Sequence, residues 1–204
     1  MNTLYYGDNL DILKNHIKDE TVDLIYLDPP FQSGKNYNQI FQPAAFGVKG
    51  ATSQIQAFED TWIWGPEAER EYTELITGTL TTESPNQKLI DLMKAMRGYL
   101  TECPLLAYLC MMAPRLVEMR RVLKDTGSIY LHCDPTASHY LKLLMDAVFE
   151  AKNFRNEVVW CYSEREISKR NWNKKHDILF FYTKKSDDTH TFNWKEVAIS
   201  YSPG

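Results

Sequence analysis

Short apolar runs alternate with amphipathic segments along this chain, and the alternation limits the folds it can adopt. The runs VDLIYLD (22–28) and SIYLHCD (128–134) are almost continuously apolar, as in strands whose two faces are both covered. Apolar residues recur at helical spacing in three other segments, 9–20, 103–127 and 135–153. Strands that alternate with helices predict an α/β fold, with a layered, mostly parallel sheet and helices on its faces.

Turn and capping residues indicate where several elements begin and end. TLYY (3–6) is predicted to be a short strand, followed by a helix with Asn9 as its N-cap. The second helix is predicted to end at Gly127, after a basic last turn, and the third to begin at Pro135.

The remaining segments define the organisation of the chain. EVVWCYSE (157–164) and HDILFFYT (176–183) are predicted strands with no helix between them, which predicts an antiparallel edge of the sheet. Residues 32–87 show little periodicity, and so long a connection is usually functional or flexible. Without an internal repeat or a Ser/Gly linker, we interpret residues 1–204 as one domain that carries a long insertion.

Composition excludes several classes of protein. A chain of 204 residues that is 44% hydrophobic can bury a sizeable core. No window approaches roughly 18 uninterrupted apolar residues and the N-terminus has no signal-peptide pattern, so we expect a cytoplasmic protein without a membrane partner. The cysteines form no C-x-x-C pair, indicate neither a disulfide framework nor a metal site, and are interpreted as reduced, buried thiols: Cys103, Cys110, Cys133 and Cys161.

Net charge alone does not indicate a nucleic-acid-binding protein, because the formal charge is −4. One segment differs from this balance. SEREISKRNWNKKH (163–176) carries five basic and two acidic side chains, with Trp172 among them. Such a run is most often a solvated loop, and it becomes a candidate for phosphate contacts only if other features indicate DNA.

The motif DPPF (28–31) follows the apolar strand 22–28 and is the strongest functional signal. A residue before proline is held extended, so Asp28 is expected to end the strand with its carboxylate beyond the edge of the sheet. Pro29 and Pro30 have no N–H, which leaves backbone carbonyls as hydrogen-bond acceptors. In open α/β sheets, ligands bind at the carboxyl ends of the strands.

Two acceptors and an aromatic ring fit the methylation of an exocyclic amine on a base. The amine is a poor nucleophile because its lone pair is delocalised into the ring. A carboxylate and a carbonyl that each accept one N–H would favour a tetrahedral nitrogen and stabilise its developing charge. Phe31 would stack on a base flipped out of the duplex.

The chain resembles the amino-methyltransferases of DNA, whose hallmark is [D/N/S]-P-P-[Y/F/W]. The resemblance covers nearly the whole chain and follows the order of the class in which the catalytic motif precedes the cofactor motif. It rests on YYGDNLDIL, VDLIYLDPPF, FEDTW, RVLKDTGSIYLHCDPTASHYLKLLMDAVF, FRNEVVW and HDILFFYT.

The resemblance implies a three-layer α/β/α Rossmann-like methyltransferase sheet with an antiparallel edge strand, and a fold that is incomplete here. It also implies S-adenosylmethionine as methyl donor, adenine in double-stranded DNA as substrate, and a place in a restriction–modification system. Asp8 and Asn9 are expected near the adenosyl group, because similar enzymes have an acid at this strand end. The same resemblance makes Lys169, Arg170, Lys174 and Lys175 candidate phosphate contacts, and Asp28, Pro29, Pro30 and Phe31 the catalytic motif.

One feature departs from that family. Its members bind the cofactor through a glycine-rich turn, roughly F-x-G-x-G, and none of the nine glycines here forms a G-x-G. We therefore expect this chain to be the catalytic half of a larger enzyme, either truncated or split. Its partner would be a carboxyl-terminal half or second subunit with the glycine-rich motif, and self-association into a homodimer is an alternative.

Other interpretations stay open from sequence alone. A non-catalytic DNA-binding or assembly module, N4-cytosine specificity, and methylation of RNA or of protein glutamine are the alternative functions. His132, Cys133 and Asp134 are interpreted as strand-end structure near the site, because adjacent strand residues point to opposite faces. The aromatic residues of FEDTWIW (58–64) fit packing and DNA contact equally well.

Overall fold

The computed structural model describes residues 2–30, 37–41, 53–58, 62–163, 169–170, 172–173 and 175–198. In this part of the chain, a four-stranded sheet has the strand order β1-β4-β6-β5, and a separate hairpin is formed by β2 and β3. The strands are β1 (Val22–Leu27), β2 (Tyr37–Phe41), β3 (Ser53–Phe58), β4 (Leu123–Cys133), β5 (Phe154–Cys161) and β6 (His176–Thr183). The helices are α1 (Asn9–His16), α2 (Pro66–Thr77), α3 (Gln87–Leu100), α4 (Pro104–Val122), α5 (Ser138–Met145) and α6 (Trp194–Val197).

The direction of the strands differs in part from the prediction. β1 and β4 are parallel, whereas β4–β6 and β5–β6 are antiparallel. The antiparallel edge strand is present as β5, but a mostly parallel sheet is not confirmed, because one of the three neighbouring pairs is parallel. The crossover from β1 to β4 contains the helices α2, α3 and α4, and such long crossovers are what parallel pairs require.

The core lies on one face of the sheet. Ile129 and Leu131 of β4 and Phe180 of β6 are buried in one cluster with α4 and α5. On β1, the residues that alternate with this face are open to solvent, with Leu24 59% and Tyr26 53% exposed. The prediction that helices cover both faces of β1 is therefore wrong for the part of the chain that the structure describes.

Two predictions near the start of the chain are corrected. Residues 3–6 form no strand, and they pair with none of the described strands. The N-cap of α1 is Asp8 rather than Asn9, because the Asp8 side chain accepts a 2.7 Å hydrogen bond from the Leu10 N–H. Gly7 before it has a φ of +142°, which favours glycine and turns the chain into the helix.

Two further boundaries differ from the prediction, because β4 starts earlier and α5 starts later than expected. The helix predicted to reach Gly127 ends at Val122, and Leu123 is already extended where it pairs with Val22. The pairing shift between Val22 and Leu24 accommodates extra residues in β4, and a Cβ on Gly127 would lie 2.7 Å from the Leu123 side chain. The last predicted helix begins at Ser138 rather than at Pro135, after a turn.

Regular structure occurs inside the segment that sequence left unassigned. α2 lies within residues 32–87, and α3 begins at the end of this segment. Arg97 of α3 fixes the two helices together, because its guanidinium donates to both carboxylate oxygens of Glu69, at 2.9 and 2.8 Å. It also lies over the rings of Trp64 and Tyr72, at 5.1 and 4.6 Å from the ring centroids. Trp64 of the FEDTWIW stretch is thus a packing residue.

The end of α4 anchors the connection between α1 and β1. The Arg121 side chain is 3% exposed and contacts Glu118, whose side chain is fully buried, with a 2.6 Å hydrogen bond. Arg121 also donates to the Leu13 carbonyl at 2.7 Å and to Asp19. These contacts fix the turn that leads into β1, and through β1 they fix the position of Asp28.

Two predictions from composition can be compared with the structure. Cys110 and Cys133 are buried and Cys103 is half-buried, but Cys161 is exposed at the edge strand, so the prediction of burial is wrong for Cys161. Within the described ranges, every helix is too short or too polar to cross a membrane.

Candidate active site at the carboxyl end of the sheet

Asp28 lies directly after β1, at the carboxyl end of the parallel β1–β4 pair. Its side chain is 59% exposed, whereas the following Pro29 is buried. The register pairs Leu27 with Leu131, so Asp28 lies beside His132. Phe31, the predicted stacking residue, is outside the described residues. The carboxylate therefore extends past the end of the strand, as the Asp-Pro pair predicts.

A cavity of about 450 Å³ opens beside this motif. Its volume is within the range of small-molecule sites, about 300–1,000 Å³. The walls bring together two segments that are distant in sequence: Asp8 and Asn9 before and at the start of α1, and Asp28, Pro29 and Pro30 after β1. The structure thus assembles the predicted cofactor residues and three of the predicted catalytic residues around one space.

The rest of the wall is apolar and comes largely from α4. Met111, Met112 and Met119 line it together with Trp62. Trp62 packs against Tyr108, with ring centroids 5.9 Å apart, and its Nε1 is buried without a hydrogen-bond partner among the described residues. An apolar wall with a few polar groups at one end suits a flat, partly apolar ligand.

Arg115 is a functional candidate that the sequence analysis missed. Its guanidinium is buried in the cavity wall, with 8% of the residue exposed. It donates to the two carboxylate oxygens of Asp8 at 2.8 and 2.7 Å, to Asn9 Oδ1 at 2.7 Å and to the Met111 carbonyl at 2.7 Å. The sequence did contain a signal, because Arg115 is a basic residue among the apolar residues of the helix predicted over 103–127. A basic side chain in such a position is buried only when it is paired.

The Asp8 carboxylate is nearly saturated by these contacts. Oδ1 accepts from the Leu10 N–H and from Arg115, and Oδ2 accepts from Arg115. A carboxylate has about four lone-pair sites, so an acceptor position on Oδ2 is left. Asp8 can therefore bind one further donor, such as a hydroxyl group of a ligand, without giving up its structural contacts.

The dual role of Asp8 predicts a difference between two substitutions. Asp8→Ser keeps a side-chain oxygen for the Leu10 N–H, whereas Asp8→Ala removes it, and both remove the carboxylate that binds Arg115. Loss of an N-cap costs about 1 kcal/mol. We expect the alanine variant to be less stable than the serine variant by about this amount in urea denaturation. Equal stability of the two variants would show that the cap does not contribute.

His132 of β4 lies between two carboxylates. Its Nδ1 is 3.4 Å from Asp28 Oδ1, and its Nε2 is 3.3 Å from Asp177 Oδ2, at the start of β6. The Trp160 ring stacks on the imidazole with centroids 6.0 Å apart and 12° between the planes. Tyr26 Oη is 3.3 Å from the same Nδ1. At the carboxyl end of the sheet, Asp177, His132 and Asp28 thus form a row of polar groups that ends at Asp28.

The neighbours of His132 have different environments. Burial raises the pKa of the Cys133 thiol to about 12, so it is a neutral thiol and not a nucleophile at ordinary pH. Asp134 accepts from the backbone N–H groups of Thr136 and Ala137, at 3.1 and 3.3 Å, in the turn before α5. Partial desolvation, and after it the Asp28 carboxylate, raise the pKa of Tyr26, which keeps its hydroxyl protonated.

The basic segment leaves the sheet from the same end. The Tyr162 N–H donates to the Lys175 carbonyl at 3.0 Å, which extends the β5–β6 pairing by one step. Lys169, Arg170 and Lys175 are exposed and Trp172 is fully exposed, while Lys174 is outside the described residues. Since β6 begins at His176 and Asp177 follows it, this segment ends close to the row of polar groups that ends at Asp28.

The chain belongs to the DNA methylase family, whose N6/N4-methyltransferase model matches residues 22–204. It is 30% identical over 170 residues to the Mod subunit of the type III restriction–modification enzyme StyLTI of Salmonella typhimurium, covering 82% of this chain and 21% of that subunit. It is 26% identical over 185 residues to the type II methyltransferase M.KpnI of Klebsiella pneumoniae, covering 89% of this chain and 32% of that enzyme. The Mod subunit of the type III restriction–modification enzyme EcoP15I of Escherichia coli is 26% identical over 199 residues, covering 94% of this chain and 25% of that subunit. The matches thus span between a fifth and a third of these relatives.

Proposed function

We propose that this chain is the amine-binding part of an S-adenosylmethionine-dependent DNA methyltransferase that methylates N6 of adenine. The observation that carries the proposal is the cavity of about 450 Å³ with Asp28, Pro29 and Pro30 in one wall and Asp8 and Asn9 in another. A methyl-transfer site needs such an arrangement, because the amine and the methyl donor must meet in one enclosed space.

The Asp28 carboxylate is the group that would bind the amine. In the proposed reaction it accepts one N–H of the adenine amine, and the backbone carbonyl of Pro29 accepts the other. Both acceptors stabilise the positive charge that develops on nitrogen, so they contribute more to the transition state than to the ground state. The adenine reaches this position by flipping out of the duplex, and Phe31 would provide the stacking surface.

S-adenosylmethionine supplies an electrophilic methyl group, and we propose that part of it binds in this cavity. The remaining acceptor position on Asp8 suits a ribose hydroxyl, with Asn9 beside it, and the apolar wall of Trp62 and the methionines suits the adenine ring. The chain contains no G-x-G. We propose that a further polypeptide, carboxyl-terminal or in another subunit, supplies the glycine-rich turn; the greater length of the relatives supports this.

The choice of adenine over cytosine follows the first residue of the motif. Within the family that the sequence resembles, an acid-initiated D-P-P-F motif is commoner in adenine enzymes. The names of the relatives support a place in a restriction–modification system, because two of them are Mod subunits of such enzymes. We propose double-stranded DNA as the substrate, and the cytoplasm as the compartment in which the protein meets it.

The exposed basic segment is proposed to bind DNA phosphates. We expect the variant Lys169→Ala/Arg170→Ala to reduce the slope of log affinity against log salt by about 2, because each phosphate contact contributes about 0.9. The measurement is the affinity for a duplex by fluorescence anisotropy over a series of salt concentrations. Lys88→Ala/Lys94→Ala is the matched control, since it removes two exposed cations from α3. The same slope for both variants and the parent would contradict the proposal.

The experiment that tests the function is transfer of labelled methyl from S-adenosylmethionine to unmethylated duplex DNA. It uses the full protein in which the chain occurs and the chain alone. Label in DNA with the full protein supports the proposal, and the comparison with the chain alone measures the contribution of the additional polypeptide. Cofactor binding by the full protein without any transfer to DNA would contradict the proposed substrate.

A further inference from the structure

The imidazole of His132 is the one described group that links the Asp28 carboxylate to a second, less exposed acid. Nδ1 faces Asp28 at 3.4 Å and Nε2 faces Asp177 at 3.3 Å. We propose that His132 is a positioning residue: it holds one oxygen of Asp28 so that the other is directed at the substrate amine, and Asp177 holds the ring. This inference rests on the proposed function.

His132 and Asp177 are both more buried than Asp28. The side chain of Asp28 is 59% exposed, whereas those of Asp177 and His132 are 22% and 13% exposed. An exposed carboxylate after a strand end has several rotamers, and a reacting group that is misplaced by 1 Å can cost about 100-fold in rate. A donor in a fixed position next to Asp28 reduces that freedom.

The ring of His132 is held on one face and contacted at both nitrogens. Trp160 of β5 stacks on it, and Tyr26 of β1 lies 6.4 Å away between ring centroids. Asp177 in turn accepts from Tyr162 Oη at 3.4 Å. Among the described residues, the titratable groups near His132 come from β1 and the residue after it, from the start of β6 and from the residue after β5: Tyr26, Asp28, Asp177 and Tyr162.

The imidazole can donate a hydrogen bond from either ring nitrogen, which allows it to link two acids. A ring with one N–H donates either from Nε2 to Asp177, while Nδ1 accepts from the Tyr26 hydroxyl, or from Nδ1 towards Asp28. A ring with two N–H groups donates to both acids. In this structure Nδ1 hydrogen-bonds with Tyr26 Oη at 3.3 Å, and its 3.4 Å approach to Asp28 Oδ1 is a contact longer than an ideal hydrogen bond. Such contacts in ligand-free enzymes often tighten only in the complex with substrate. Asp28 remains the group that touches the substrate, and His132 acts through it.

The kinetic test compares His132→Ala, His132→Asn and Asp177→Asn in the full protein. We expect His132→Ala to lower kcat by about 100-fold, with KM for S-adenosylmethionine unchanged. His132→Asn should recover part of kcat, because its amide N–H replaces Nδ1–H. The double variant His132→Ala/Asp177→Asn should be no slower than His132→Ala, since both residues act along one path. His16→Ala, exposed at the end of α1, is the control.

Wild-type kcat in His132→Ala, or no recovery in a folded His132→Asn protein, would overturn the proposal. A second measurement does not depend on activity: the ¹⁵N chemical shifts of the His132 ring. We expect Asp28→Asn to change the Nδ1 shift and Asp177→Asn to change the Nε2 shift, while Asp23→Asn changes neither. Unchanged Nδ1 in Asp28→Asn would refute the contact. Absence of methyl transfer by the wild-type protein would instead refute the proposed function, and the ring shifts would still decide whether His132 holds Asp28.

Discussion

Replacing Asp28 with alanine is expected to lower methyl transfer to duplex DNA by about 10²–10³-fold or more. The carboxylate is the acceptor proposed for the charge that develops on the amine nitrogen, and removal of one such preorganised group costs about that factor in kcat. Because the side chain is 59% exposed and ends a strand, its removal should leave the fold intact. The measurement is single-turnover transfer of labelled methyl, with circular dichroism to confirm folding.

Two further variants make the Asp28 result specific. Asp28→Asn keeps the size and one acceptor oxygen but loses the charge, and we expect it to be nearly as slow as alanine. Asp23→Ala removes a carboxylate from the other end of β1, where Asp23 accepts from Lys124 at 2.8 Å, and should retain activity. Transfer by Asp28→Ala at the rate of the parent would exclude this carboxylate from the reaction.

Replacing Arg121 with methionine is expected to destabilise the fold by about 3–5 kcal/mol. The side chain of Glu118 is fully buried, and Arg121 is its cationic partner at 2.6 Å. Without the guanidinium, Glu118 keeps the Thr82 N–H as a donor but remains a buried carboxylate without a countercharge. The Leu13 carbonyl, and with it the connection between α1 and β1, loses its anchor as well.

Urea denaturation of the two neighbouring arginine variants tests this expectation. Arg120→Met is the control, because it removes a charge from the same turn of α4 but from a side chain that is 36% exposed and 3.9 Å from its acid. We expect the Arg120 variant to stay within about 0.5 kcal/mol of the parent. Similar losses in both variants would mean that the buried pair contributes no more than a surface pair.

Local patterns predicted the strands and helices better than their pairing. The apolar run before Asp28 is β1, and the two last predicted strands are β5 and β6, as expected. Strand direction depends on which edges meet, and β6 inserts between β4 and β5, a contact that no local pattern determines. The exposed face of β1 could not be predicted for a similar reason. Apolar side chains indicate that a face can be covered, but a local pattern does not show whether another element of this chain covers it.

Features of the site that depend on neighbouring residues could be predicted from the sequence. Contacts between residues that are distant in sequence could not. The Asp-Pro-Pro motif restricts its own backbone, so the placement of Asp28 after β1 could be derived from sequence. Arg115 contacts Asp8 across 107 positions, and His132 reaches Asp177 across 45. The predicted roles of Asp8 and Asn9 in cofactor binding, and of the basic segment in DNA binding, stay predictions.

The most direct test of the central claim is the identity of the methylated base. Duplex DNA treated with the full protein and S-adenosylmethionine is digested to nucleosides, which are then separated and identified by mass spectrometry. We expect N6-methyladenine, at a level about 10²–10³-fold lower after the same time with the Asp28→Ala protein. N4-methylcytosine as the product, or N6-methyladenine at equal levels with the Asp28→Ala protein, would contradict this expectation.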